Sequence, residues 1–288
     1  MGLRDKMDAG KFVLLAEMEP PKGVDVSALL AAAAAVRDRV DALVVPEMGD
    51  AVMKMSSLGG AALLGGQGFE TVMQVSCRDR NRLALQADLL AAWALGVGAI
   101  LAVQGENPSQ GDHHTARPVF DLDLVELLET VGRLNSGRDL AGAELAGRPG
   151  FLIGSTFNPD GDSPERELAA LDRKIAAGAS FFVTPPVFEA GPLLRVRDEL
   201  RDRQVRLVPT VLVLKSVGMA RYLDRHFRDV SISDRIMARL QQGPDRVEVC
   251  LDIARELIEE LKAGGLAGVM ISPSGWEDRL PRLLDGLS

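Results

Sequence analysis

FVLLAEMEPPKG, residues 12–23, begins as an apolar run, sets two carboxylates, Glu17 and Glu19, at its end, and then meets a double proline. Near-continuous apolar character over 12–19, without polar alternation, is the pattern of a parallel strand covered on both faces. The acids therefore stand where a buried strand runs out. What they can do depends on the sheet that carries the strand.

Seven further runs share this character: DALVVPE (41–47), FETVMQVSC (69–77), GAILAVQG (98–105), GFLIGSTF (150–157), SFFVTPPVF (180–188), VRLVPTVLVL (205–214) and LAGVMISPSG (266–275). Longer charged, amphipathic stretches separate them. The pattern predicts helices over 27–40 with Ser27 as N-cap, 79–96 opened by Asp79 and closed by Gly96, 163–179 with Ser163 as cap and Pro164 at the first helical position, and 245–265. Eight βα units in a chain of 288 residues match a single-domain (β/α)8 TIM barrel spanning 1–288. A doubly wound open sheet is the alternative, because periodicity does not show closure.

Barrel enzymes build their sites at the carboxyl ends of the strands. That rule places Glu17 and Glu19 at the top of the first strand. Pro46 and Glu47 follow the second, Ser76 and Cys77 end the third, and Gln104, Gly105 and Glu106 end the fourth. Asn158, Thr184 with Pro185, Lys215 and Ser272 end the remaining four. The long polar stretch 105–123 is the loop expected to carry function.

Composition narrows the classes. The chain is 47% apolar and 26% charged, with 33 basic and 41 acidic residues and a net charge of −8. An acidic balance argues against a nucleic-acid surface. There is no apolar run of membrane-spanning length and no signal-type leader, so no membrane association and a cytoplasmic location are expected. Cys77 and Cys250 lie far apart without CxxC spacing, so no disulfide framework and no metal site made by this chain alone are expected.

Smaller features have plain readings. His113 and His114 beside Asp112 suggest a metal cluster, but adjacent histidines splay apart, and a solvated loop is expected. SLGGAALLGGQG (57–68) lacks the lysine and spacing of a phosphate loop and reads as a helix end and turn at the bottom of the barrel. Met48, Met53, Met55 and Met73 read as core packing, and Cys77 as a small buried residue. Lys215 and Ser216 lie where many barrels bind phosphate.

With these strand ends placed, the sequence resembles the methylenetetrahydrofolate reductase family over roughly residues 10–286. AEMEPP (16–21) is similar to the family's E-x-x-P-P signature. AVMKMSS (51–57), CRDRNRLALQADLL (77–90), RPVFDLDLVELL (117–128), LKSVGMARYL (214–223) and SPSGWEDRLP (272–281) are similar to the short bacterial branch. The resemblance implies a flavoprotein, with FAD or FMN, that reduces 5,10-methylenetetrahydrofolate to 5-methyltetrahydrofolate in one-carbon metabolism and methionine biosynthesis. It implies Glu17 as general acid and Glu106 as the carboxylate near the flavin ring. Gln74, Gln104, Glu106, Glu167 and Lys174 are the implied cofactor contacts, Lys174 on the phosphate side and Glu167 near the ribose. Glu19, Thr184, Phe188 and Lys215 are the implied substrate contacts. The implied partners are the tetrahydrofolate substrate, NADH or a ferredoxin-type donor, a zinc-containing subunit, and a homo- or hetero-oligomeric assembly.

Three loops depart from the family pattern. Pro46 stands at a threonine-type position and cannot donate a hydrogen bond. Gly105-Glu106 replaces Gly-Asp, and Thr184-Pro185 replaces Thr-Gln. Gln74 stands where better-studied members often have histidine. Two other readings follow from these departures: a flavin-free reductase moving hydride directly from NAD(P)H, or a folate- or flavin-binding subunit with little activity alone.

Overall fold

The computed structural model describes residues 1–161, 163–203, 205–227, 230–242 and 245–287. Within them eight parallel strands close into a barrel in sequence order. They are β1 (Val13–Glu17), β2 (Ala42–Val45), β3 (Thr71–Ser76), β4 (Ala99–Val103), β5 (Leu152–Thr156), β6 (Phe181–Pro186), β7 (Leu207–Leu212) and β8 (Gly268–Ser272). Every strand falls inside its apolar run and is shorter at both ends, because the outer residues turn into loops. The open-sheet alternative fails on one observation: β1 pairs with β8 in register from Val13↔Gly268 to Ala16↔Ile271.

Helix α1 (Leu3–Asp8) precedes the barrel. The helices α2 (Ser27–Ala35), α3 (Ser57–Gly66), α4 (Arg82–Ala94), α5 (Leu124–Asn135), α6 (Pro164–Ala176) and α7 (Ala190–Glu199) follow the first six strands in turn. Three helices, α8 (Val217–His226), α9 (Asp234–Gln241) and α10 (Arg246–Ala263), separate β7 from β8, and α11 (Leu280–Asp285) ends the chain. Among the described residues no helix is long and apolar enough to cross a membrane.

Strand alternation divides the core in two. Val13 and Leu15, Ala42 and Val44, Val72, Phe181 and Met270 fill the barrel interior, and Leu3 and Met7 of α1 join that cluster. The opposite faces, with Ala16, Leu43, Met73, Ile100, Phe182 and Ile271, pack under the helices. These are the two apolar faces that continuous hydrophobic strands predict.

Several helix ends differ from the sequence reading. Val26, not Ser27, is the N-cap of α2; Ser27 is its first residue, and its amide donates to Asp25 Oδ1 at 3.0 Å. The same helix stops at Ala35 rather than 40, and Asp38 takes a left-handed φ of 62° as the chain turns back toward β2. Asp79 does not open α4, because it is bound to Arg78 (Nε to Oδ1, 2.7 Å). Asn81 caps instead, its Oδ1 accepting from the Leu83 and Ala84 amides, each at 3.1 Å. Ser163 holds the cap position of α6 without a side-chain bond, and Asp245 caps α10 by accepting from two amides. Gly96 and Gly178 end their helices at φ 89° and 104°.

The glycine stretch 57–68 is corrected more fully. It is not a turn but the crossover helix α3, with Ser56 as its N-cap. A Cβ on Gly60 would come within 2.9 Å of both Pro20 and Val45, so the glycine lets this helix lie hard against β2 and the segment that follows β1. Of the four methionines read as core, Met73 is buried, Met48 and Met55 are half-buried, and Met53 is 46% exposed.

Closure has its own requirement. A Cβ on Gly268 would sit 2.4 Å from the Val13 carbonyl oxygen, so the last strand can meet the first only where a side chain is missing. Backbone cannot yield here without opening the seam. Gly268→Ala is expected to cost about 1–3 kcal/mol of stability, the range for overpacking a filled site. Urea unfolding followed by circular dichroism measures it, and a loss below about 0.5 kcal/mol would mean the seam has slack.

Candidate active site

Parity along β1 extends the interior row Val13, Leu15 to Glu17, so a carboxyl group occupies the top layer of an otherwise apolar barrel. The neighbouring strands supply Pro46, Gln74 and Ser272 at the same level. These four, with Glu19, Gly49, Asp50, Ser274 and Gly275, line a cavity of about 340 Å³. Five of the residues singled out in the sequence, Glu17, Glu19, Pro46, Gln74 and Ser272, therefore meet.

Burial pushes the Glu17 carboxyl up to about 7 from an ordinary 4.5. The charges of Glu19 and Glu277 push the same way. The hydrogen bond from Ser272 Oγ to Oε1, at 3.0 Å, and the ammonium of Lys54 oppose the rise. Glu19 is itself paired with Lys54 at the cavity wall. Gln74 Oε1 accepts from the Glu47 amide at 2.7 Å, leaving the side-chain NH2 without a described partner.

The site is walled by buried ions. Glu47, 3% exposed, accepts from Ser57 Oγ and from Arg80 at 2.7 Å, and Arg80 also reaches Asp88 at 2.7 Å. Arg78, 2% exposed, forms a two-bond fork with Asp79 and donates to the Met48 carbonyl at 3.1 Å. The CRDRN stretch thus clamps the loops after β2 and β3. Sequence reasoning missed this use, although the alternation of arginine and aspartate opposite a strand-end glutamate was its signal. It also left Ser272 out of the site proper, and Lys54 and Asp50 entirely.

The other site residues expected from the sequence do not line the Glu17 cavity. Lys174 Nζ donates to the Thr156 carbonyl at the top of β5, at 2.7 Å. Burial lowers its pKa, with the Glu167 charge opposing. Glu167 lies over Gly161, where a Cβ would be 2.7 Å from its Cγ. Gln104 and Glu106 are exposed in the loop after β4. Thr184 is buried, its hydroxyl donating to the Pro185 carbonyl at 2.7 Å while its own carbonyl accepts from Thr210 Oγ1 at 2.7 Å. Phe188 lines a separate cavity with Pro159, Pro186 and Leu193. Lys215 donates to the Ser274 carbonyl, 2.5 Å away, and so touches the wall of the Glu17 cavity from outside.

The loop after β4 is tied down by Asp112, which pairs with Lys22, accepts from the Met53 amide at 3.0 Å and meets His113 Nδ1 at 2.7 Å. His114 Nδ1 turns instead to the Ser109 carbonyl at 2.9 Å. Among the described residues no group of three or more His, Cys, Asp or Glu is placed to hold a metal ion. Cys77 is fully buried, and burial pushes its thiol up to about 12, which keeps it from acting as a nucleophile.

A carboxyl group near 7 in a walled mouth is poised to give or take a proton at neutrality. Its folded pKa lies above the unfolded value. The fold therefore favours the protonated form, and this stabilisation is complete below about pH 4.5 and lost as pH rises through about 7. Glu17→Gln is expected to be more stable than the wild type at pH 8 by on the order of 3 kcal/mol, with the gap closing below pH 4. Urea unfolding at both pH values tests this. Infrared titration should find the Glu17 carboxyl near 7, and Ser272→Ala should move it higher.

The family model for methylenetetrahydrofolate reductase matches residues 2–272. The 5,10-methylenetetrahydrofolate reductase of Pectobacterium carotovorum subsp. carotovorum is 28% identical over 148 residues, 50% of this chain and 44% of that one. The Salmonella typhimurium enzyme of the same name is 26% identical over 157 residues, covering 54% and 47%. Methylenetetrahydrofolate reductase 2 of Schizosaccharomyces pombe is 21% identical over 195 residues, covering 66% and 30%. The chain thus spans less than half the length of each of these relatives. A crystal structure of 2,3-dimethylmalate lyase, a PEP mutase/isocitrate lyase superfamily member, superposes with a TM-score of 0.55 at 13% identity, over 98% of this chain and 84% of that one. At that identity the likeness is one of fold.

Proposed function

The chain belongs to the methylenetetrahydrofolate reductase family, and on that premise we propose that it reduces 5,10-methylenetetrahydrofolate to 5-methyltetrahydrofolate with Glu17 as the general acid. The observation that carries this reading is the Glu17 carboxyl, raised to about 7 in the top layer of the barrel. In the substrate a methylene carbon bridges N5 and N10. For hydride to attack that carbon, its bond to N10 must break, leaving a 5-iminium cation and an amine. Protonation of N10 by Glu17 makes the amine a leaving group. The released carboxylate is then stabilised by the hydrogen bond from Ser272 and by Lys54, and it regains its proton from solvent for the next cycle.

A reduced flavin, FAD or FMN, would supply the hydride. The residues present fit such a group. Lys174 is a half-buried ammonium whose described hydrogen bond goes to a single carbonyl, which leaves donors for a phosphate. The unpaired NH2 of Gln74 offers a donor in the mouth. Glu167, Gln104 and Glu106 complete the cofactor set on this reading, and Glu19, held by Lys54, faces the substrate. NADH is the proposed reductant. A flavin-free transfer from NAD(P)H is the second reading, favoured by Pro46 in the cavity wall, which has no N–H to offer a flavin ring.

An anaerobic visible spectrum titrated with NADH and then with methylenetetrahydrofolate separates these. The expected result is a band near about 450 nm that bleaches with NADH and returns with the folate. A band that ignores NADH moves the donor role to a ferredoxin-type protein or to a zinc-containing partner subunit. A protein that stays colourless after FAD is added, yet turns over, selects direct hydride transfer. Bound ligand without turnover selects a binding subunit.

Glu17→Gln is expected to lower folate reduction by about 10²- to 10⁴-fold, the range for losing a general acid. The NADH-dependent bleaching should persist, since it does not need that proton. In the wild type the rate of folate reduction should fall as pH rises through about 7. Stopped-flow measurement of the two half-reactions checks both.

A further inference from the structure

Another cavity, of about 420 Å³, at the start of α8 and α10, has the opposite chemistry to the Glu17 cavity. Its lining carries Lys215, Arg221 and Arg246 and no carboxylate, in a chain whose net charge is −8. Arg221 and Arg246 are exposed and form no ion pair or hydrogen bond with any described residue. The acids closest to them in sequence are engaged elsewhere: Asp224 accepts from the Ile232 amide at 2.9 Å, and Asp245 caps α10 and meets Arg282 at 3.1 Å.

Backbone donors add to the side chains. Ser216 caps α8 by accepting from the Met219 amide, and the Val217 and Gly218 amides, both in the cavity lining, have no described acceptor. Arg246 is the first residue of the 18-residue helix α10, so a second helix N-terminus adjoins the cavity. Unpaired amides, helix N-termini and arginine forks are all complementary to oxyanions. The position, after β7 and against the turn that follows β8, is where barrels commonly hold phosphate groups.

Lys215 links the walls of the two cavities. It lines the second, and its Nζ is bonded to the carbonyl of Ser274, which lines the first; a Cβ on Gly275 would be 3.5 Å from the same Nζ. We propose that the second cavity is an oxyanion subsite that takes the phosphate- or carboxylate-bearing end of a reactant whose reacting part lies at Glu17. The reductase reading enters only in naming that reactant: the carboxylates at the glutamyl end of the folate, or the phosphates of a dinucleotide donor.

Calorimetric titration with inorganic tripolyphosphate at low salt tests the subsite without turnover. Three proteins are compared: the wild type, Arg221→Ala/Arg246→Ala, and Arg201→Ala, which removes one charge from the exposed turn after α7. The double variant should bind about tenfold more weakly or worse, and Arg201→Ala like the wild type. No saturable binding by the wild type, or equal affinity in all three, overturns the proposal. Steady-state kinetics of the double variant then assigns the source. A rise in KM for methylenetetrahydrofolate identifies the carboxylates, and a rise in KM for the dinucleotide identifies the phosphates. If both KM values stay at the wild-type level, the cavity does not serve the Glu17 site and the proposal fails. If the wild type does not reduce methylenetetrahydrofolate at all, the reductase reading falls, and the tripolyphosphate titration still decides the subsite.

Discussion

The parallel pairing of β1 with β8 is the interaction from which the site follows. It joins residues some 255 positions apart in sequence and sets Ser272 Oγ 3.0 Å from Glu17. It also completes the ring of side chains that strips water from the Glu17 carboxyl. An open sheet would leave that carboxyl at an edge, hydrated and ordinary. The chemistry at the barrel mouth is thus a product of closure, and closure in turn needs Gly268, where any side chain would collide with the backbone of β1.

The mouth itself is held by charges and unusual backbone rather than by apolar packing. Of the five non-glycine residues with positive φ among the described residues, four lie in loops above the strands: Met48 and Ala51 after β2, Phe120 after β4 and Ser274 after β8. Such conformations cost about 1–3 kcal/mol each and persist where surrounding structure enforces them. Here the enforcement is visible. Arg78 donates to the Met48 carbonyl, Lys215 to the Ser274 carbonyl, and Gly111 packs so closely over Ala51 that a Cβ there would lie 1.8 Å from its carbonyl oxygen. The Glu47–Arg80–Asp88 group, with Glu47 buried, ties the loop after β2 to α4. Rigid loops of this kind keep Glu17 walled in, which is what raises its pKa.

The eight strands were legible because burial on both faces leaves unbroken apolar runs, and their order alone put Glu17 at a strand end. Glu17 and Glu19 could be grouped in advance because strand alternation is a strict period of two, whereas Gln74 was singled out only through the family resemblance. Helix starts were less legible. Asp79 has the right residue type for a cap, but its partner Arg78 is the neighbouring residue, and no sequence pattern says which bond wins. The glycine run in α3 misled for a related reason: glycine disfavours helix by propensity, and only the nearness of Pro20 and Val45 makes it necessary there. The cationic cavity near α8 was legible only as Lys215, since Arg221 and Arg246 come from different helices and meet through the chain path after β7.

The seam also sets a schedule for synthesis. β1 leaves the ribosome some 255 residues before its partner β8, so the barrel cannot seal until β8 has also been made. Until then both edges of the growing sheet are open, the state in which long parallel sheets are prone to mispair. The proton-donating character of Glu17 therefore comes into being only once β8 has joined β1. A nascent or truncated chain would carry an ordinary acid in the same sequence position.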